Sequence, residues 1–408
     1  MTSETSRRAT SFSACLFAAA VPLSIAGANI SWALFAVSLA AFAYSGGTLI
    51  WKGRKSVLEK PLWAFLFVSI LASALGTEPS HSFRFTNQDL HKVWIYYLFM
   101  VGLASVGKAR IIPFAAAGFS VAALVGLSQA LPSALGFIPD PRDGSNRAHA
   151  FVHAVTFGGQ MTVAFLGGLA FALSPQNANR PRIKRLAWIF CGLTGAALVL
   201  SQTRAALLGV AAGTCSILIL LPRLRKWVLI AIPLTVLCFA ALEIAFPYRS
   251  IVRPLISSIR SGKTSGIQMQ RLHLWHGALA MATDHPITGV GHNNFRAEFP
   301  KYIDTVFDDK RKSFGTAHNL YFHHLAERGI LGLAVLFWLL GAFTLEAWRR
   351  SRDKPEAVHL WALATSVAFL VLNLTEVALQ VEIFWMLVFF VWIISESKYH
   401  NRLDLEDV

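Results

Sequence analysis

Ala154-Val155-Thr156-Phe157-Gly158-Gly159-Gln160-Met161-Thr162-Val163-Ala164-Phe165-Leu166-Gly167-Gly168-Leu169-Ala170-Phe171-Ala172-Leu173 runs without one charged side chain. In a helix rising ~1.5 Å per residue it spans the ~30 Å hydrocarbon core of a bilayer. The alternating ten-residue pattern of a membrane strand is missing, so the run reads as a helix. Arg180, Arg182, Lys184 and Arg185 follow, and a second apolar run occupies 186–201. Moving outward in both directions, similar runs lie at 12–28, 30–50, 61–76, 92–107, 110–131, 204–221, 227–246, 330–348, 358–376 and 380–396. The expected fold is therefore an all-α integral membrane protein with about twelve transmembrane helices.

Composition agrees: 55% of the 408 residues are hydrophobic and only 14% charged, against roughly a quarter charged in soluble domains. The net charge of +15 does not call for a nucleic-acid partner, because topology accounts for much of it. Arg7/Arg8, Lys52/Arg54/Lys55/Lys60, Lys108/Arg110, Arg180 to Arg185, Arg223/Arg225/Lys226, Arg349/Arg350/Arg352/Lys354 and Lys398/Arg402 fall in alternate loops. Such clusters mark the cytoplasmic side. Both termini are expected there, in a bacterial inner membrane, with the opposite loops facing the periplasm, the short ones among them carrying only Arg84, Lys92, Arg142, Arg147 and Arg204. Arg7/Arg8 before the first run and Ala26-Gly27-Ala28 after it also resemble a signal peptide, though an uncleaved first helix is the preferred reading. Cys15, Cys191, Cys215 and Cys238 all sit in apolar runs without metal-ligand spacing, so neither disulfides nor zinc is expected.

Three parts follow: membrane helices over 1–246, an outward loop over 247–329, and membrane helices with a short tail over 330–408. The loop, from about Arg260, is a polar island in an oily chain. Its segment Gln268 to Asp284 reads as an amphipathic surface helix, with Met269, Leu272, Trp275, Leu279 and Ala282 on one stripe and Arg271 at its start. Gly289-Val290-Gly291-His292-Asn293-Asn294-Phe295 reads as a loop shaped by its glycines; a lone GxG is too weak for a nucleotide fold. His318 and Asn319 open the next span, where an imidazole at the membrane surface suits a general base. Earlier in the chain, Ser201-Gln202-Thr203 precedes Arg204 at an outer helix start, where a hydroxyl can cap and free N–H groups favour an anion. Arg147, His149 and His153 form another outward group. Each has a plain alternative: an arginine snorkelling to lipid headgroups, or a structural histidine among thirteen.

Together these residues resemble the O-antigen ligase and polymerase superfamily of GT-C-like membrane glycosyltransferases. The matching stretches are Ser201-Gln202-Thr203-Arg204-Ala205-Ala206, Arg271 to Trp275 with His285-Pro286-Ile287-Thr288-Gly289-Val290-Gly291, His318-Asn319-Leu320-Tyr321, and Glu327-Arg328-Gly329-Ile330-Leu331-Gly332. The resemblance covers about 200–335 and is closest to the ligases. It implies glycan transfer from undecaprenyl pyrophosphate to a sugar hydroxyl of lipid A-core at the periplasmic face. Arg204 and Arg271 would hold the pyrophosphate and His318 would accept the acceptor proton, with inversion and without a metal. Arg147, Asn319, His292 and Trp275 are candidate substrate contacts. No cofactor is expected, since no GxxxxGK[ST] loop exists; Asp308-Asp309 keeps a divalent cation open. The alternatives are an O-antigen polymerase, a protein O-oligosaccharyltransferase and a transporter of lipid-linked oligosaccharide. For a transporter the sequence lacks the paired halves with mid-membrane breaks.

Overall fold

The computed structural model describes residues 3–47, 56–106, 108–135, 147–245, 267–302 and 314–396, which are helical and contain no strand. Its helices are α1 (Ser3–Ala20), α2 (Ile25–Tyr44), α3 (Glu59–Leu75), α4 (Pro79–Val106), α5 (Lys108–Ala134), α6 (Ala154–Leu173), α7 (Pro181–Leu200), α8 (Arg204–Leu220), α9 (Val228–Ala245), α10 (Ile267–Asp284), α11 (Leu320–Asp353), α12 (Ala357–Leu372) and α13 (Glu382–Glu396). The described part of each apolar run lies largely on one of them, except the first, which α1 and α2 share. Six helical stretches are long and apolar enough to cross a bilayer, Ile25–Tyr44, Arg110–Pro132, Ala154–Leu173, Pro181–Leu200, Pro222–Ala241 and Leu320–Asp353, and α8 and α12 are shorter apolar helices. This is a helical membrane protein.

Three boundaries differ from expectation. The first run, 12–28, is split: α1 ends at Ala20 and α2 begins at Ile25, with Ser24 accepting the Gly27 N–H as its cap. α4 begins at Pro79 rather than 92, because its polar first half is helix rather than loop, with Ser82 and Asp89 buried while Phe83 and Leu90 are exposed. α11 begins at Leu320 and breaks at Gly329 (φ 60°, ψ −164°), so the boundary expected at 330 is a helix break instead of a helix start.

Packing follows side-chain size. In α13 every residue from Ile383 to Ser395 is buried, as expected of a helix apolar on all faces. α6 packs against α7, α8 and α12. Lipid gives no hydrophobic drive for helix association, so close approach at small residues matters. Gly213 of α8 is such a point: a Cβ there would come 2.8 Å from the Ala364 carbonyl oxygen of α12. The α9 face bearing Leu229, Val236, Leu237 and Ile244 is open, as suits contact with lipid.

The loops sort by end. At one, Ser174 after α6 donates to the Pro355 carbonyl (2.9 Å) and Arg350 pairs with Glu396 (3.3 Å), beside the clusters around Arg182 and Arg352. At the other, Thr77 N–H donates to Val290 O (2.9 Å), Leu320 N–H to Asn373 O (3.0 Å) and Ala148 N–H to Leu200 O (2.9 Å). Arg147, Arg204, Arg271 and His318 share this second end. Arg260, Asp308-Asp309, Arg142, Lys52, Arg54, Lys55, Lys398 and Arg402 lie outside the described residues.

Candidate active site

The polar end is assembled around the turn that follows α12. Asn373, fully buried, donates from Nδ2 to Phe369 O (2.8 Å) and accepts the Ala378 N–H (2.8 Å), which fixes the turn. Asn319 is stitched to it: its Nδ2 donates to Leu374 O (2.9 Å), while its Oδ1 caps α11 by accepting from the N–H groups of Tyr321 and Phe322 (both 3.0 Å). Asx side chains suit such a cap. Both ends of the Asn319 amide are thereby engaged, and its neighbour His318 is held at φ 48°. A non-glycine residue in the left-handed region costs free energy and persists only where its surroundings enforce it.

The turn carries Glu376, and its carboxylate joins two of the candidate residues. Oε1 lies 3.5 Å from Arg271 Nη2 and Oε2 lies 4.0 Å from His318 Nδ1. Arg271 stands on the first turns of α10, and Trp275, one turn on, packs its ring on Phe322 of α11 at 5.6 Å. Among the described residues the buried indole Nε1 meets no hydrogen-bond acceptor. All of these groups border one polar surface with a cation, an imidazole and a carboxylate between them.

The predicted stripe on α10 is packed only in part, at Trp275 and Ala282. Leu274, Ala278 and Met281 are buried, whereas Leu272 and Leu279 are exposed. The helix is apolar on two sides, and periodicity alone does not say which of them meets protein.

Arg204 enters from the next helix, α8, which lies against α12; its guanidinium carbon is 5.8 Å from the Phe239 ring centroid of α9. The expected capping by Thr203 does not occur. Its hydroxyl instead donates to Ala154 O (3.1 Å) and accepts from Arg147 Nη2 (2.9 Å), while Arg147 Nε donates to Ser201 O (2.7 Å). Arg147 thus braces the turn that presents Arg204, in which Gln202 also has positive φ, 53°. His149 and Ala150 are held by Gln129, which accepts both backbone N–H groups.

His292 lies elsewhere. It is buried, 3.7 Å from Asp89 of α4, in a cluster with Arg328 and Glu327 of α11. Burial, then the Arg328 charge, push its pKa down to about 4 against the pull of Asp89 and Glu327. It is neutral at neutral pH. Among the described residues no three His, Cys, Asp or Glu side chains form a metal-holding group.

In the sequence Glu376 and Asp89 carry no assigned chemistry, and Lys92 counts only as an outward charge. The visible signal was the Asp89–Lys92 spacing of three in a polar stretch running straight into an apolar one, which is how a buried helical pair reads.

Residues 189–337 match the family model described as O-Antigen ligase. This stretch, rather more than a third of the chain, is similar to the O-antigen ligase superfamily. Arg204, Arg271, Trp275, His292, His318 and Asn319 fall inside the matched stretch of the superfamily model, with Arg147 before it and Glu376 after it. Among curated proteins none matches the chain. The superfamily carries ligase- or polymerase-type chemistry on lipid-linked polysaccharide.

Proposed function

We propose that the protein is an O-antigen ligase, moving a glycan from undecaprenyl pyrophosphate to a sugar hydroxyl of lipid A-core at the periplasmic face of the inner membrane. The observation that carries this reading is the Glu376 carboxylate between Arg271 and His318. Before substrate arrives, Glu376 occupies a guanidinium suited to phosphate oxygens. Donor pyrophosphate takes over Arg271, with Arg204 as the second cation, and Glu376 is left to face the imidazole. His318 then accepts the proton of the acceptor hydroxyl as its oxygen attacks the anomeric carbon. The bond from that carbon to the pyrophosphate oxygen breaks, the new glycosidic bond forms on the opposite face, and undecaprenyl pyrophosphate leaves as an anion stabilised by the two arginines. Glu376 stabilises the imidazolium. In this reading guanidinium groups do the work of a divalent metal, and Arg147 acts by holding the turn before Arg204. The separation of the site from the basic loops supports the periplasmic assignment.

The test is to follow the glycan. Purified protein in EDTA, given undecaprenyl pyrophosphate-linked glycan and lipid A-core, should glycosylate the lipid A-core. Longer lipid-linked glycan with unused acceptor would make it a polymerase, and no covalent product with the glycan moved across a bilayer would make it a transporter.

A further inference from the structure

The glycine loop and the break in α11 are two halves of one structure. At Gly329 the helix loses its own hydrogen-bond ladder, and such orphaned groups must find partners when buried. They find them in the loop. Val290 N–H donates to Ala326 O (2.9 Å) and Gly291 N–H to Glu327 O (3.0 Å), while Ile330 N–H donates to Pro286 O (2.9 Å) and Leu331 N–H to Ile287 O (3.4 Å). The two backbones touch. A Cβ on Gly329 would lie 2.3 Å from the Ile287 carbonyl carbon, and one on Gly289 would lie 2.3 Å from that of Glu327; both glycines have positive φ, 60° and 69°. Below the crossing, Arg328 donates from Nη2 to Asp89 Oδ2 (2.9 Å) and from Nε to Ser69 Oγ (3.0 Å).

We infer that this clasp sets the register of α10 against the first turns of α11, and so the separation of Arg271 from His318, with Asp89 and Arg328 as its positioning residues. It deepens the ligase reading and rests on that reading for what is positioned. Arg271 and His318 come from different helices, and the intervening loop runs through the break in the second. A helix interrupted at this point gives the loop four backbone partners that a continuous helix would keep for itself. Asp89, on α4, ties the break to the bundle, so the loop that follows α10 is anchored through backbone, beside the packing of Trp275 on Phe322. Displacement of a reacting group by about 1 Å costs roughly a hundredfold in rate.

Full-length protein in nanodiscs serves for the test, with wild type, Asp89→Asn and the milder Ser69→Ala compared by backbone hydrogen exchange and by initial rates of glycan transfer. Asp89→Asn should speed exchange of the Val290, Gly291 and Ile330 amides and lower kcat roughly tenfold or more, leaving donor KM within about threefold and α6 to α8 exchange unchanged. Ser69→Ala should shift both in the same direction by less, and decides the matter should Asp89→Asn fail to fold. Loosened clasp amides with unchanged kcat would overturn the inference, as would a lost kcat with exchange unchanged. If wild type transfers no glycan, the ligase reading falls by itself, and the clasp stands or falls on whether the variants release those three amides.

Discussion

Two arginine–carboxylate pairs on neighbouring elements have the same chemistry and opposite circumstances. Arg328 and Asp89 meet at 2.9 Å with side chains only 3% and 2% exposed, and Ser69 and Lys92 complete their hydrogen bonding. Arg271 and Glu376 meet at 3.5 Å with 32% and 17% exposed. A buried pair is costly to break because each partner leaves the other charged and unsolvated. A half-open pair is screened and exchangeable. The first is suited to holding helices, the second to being taken apart by an incoming anion.

The comparison breaks first at the buried pair. Arg328→Ala should cost roughly 3–5 kcal/mol, because it removes one of the two cations on buried Asp89 and takes the guanidinium away from buried Glu327; thermal unfolding in detergent should show it, and a loss near that of a surface pair would mean the pair is not buried as described. Next comes His292 in the same cluster. Its folded pKa of about 4 lies below the ordinary 6.5, so the unfolded chain binds the extra proton and stability, complete above about pH 6.5, falls as pH drops towards 4. The swing is roughly 3 kcal/mol. A His292→Gln variant should flatten that slope, and an unchanged slope would place its origin at another group. Smaller still, Glu376→Gln should lower kcat by roughly ten- to a hundredfold with little change in unfolding temperature, since a half-open pair contributes little to stability. Least of all, Glu4→Gln, which removes the exposed partner of Arg8, should change stability by under about 1 kcal/mol.

Much of the bundle was legible in sequence because lipid imposes length and apolarity on every spanning helix; α6 begins and ends where its apolar run does. Arg271 and His318 were legible as polar residues at helix starts in an oily chain, and the structure brings them to one carboxylate. The clasp was not. Asp89 and Arg328 are 239 residues apart, and nothing local to either tells of the other. The polar half of α4 looked like a loop because polarity in a membrane chain is read against lipid by default, whereas it is helix with Ser82 and Asp89 buried. Gly289 looked like a glycine shaping a loop and Gly329 stood only within a matching stretch, whereas the backbone that approaches each belongs to the other's segment.

On the proposed mechanism Glu376 competes with donor pyrophosphate for Arg271 and serves His318 thereafter. The affinity of undecaprenyl pyrophosphate, measured as an inhibitor of transfer for wild type, Arg271→Ala and Glu376→Gln, tests it most directly. Glu376→Gln should bind the pyrophosphate more tightly than wild type while transferring more slowly, and Arg271→Ala should bind it more weakly. If Glu376→Gln weakens binding as Arg271→Ala does, the carboxylate is part of the pyrophosphate site's support rather than its competitor, and the account is wrong.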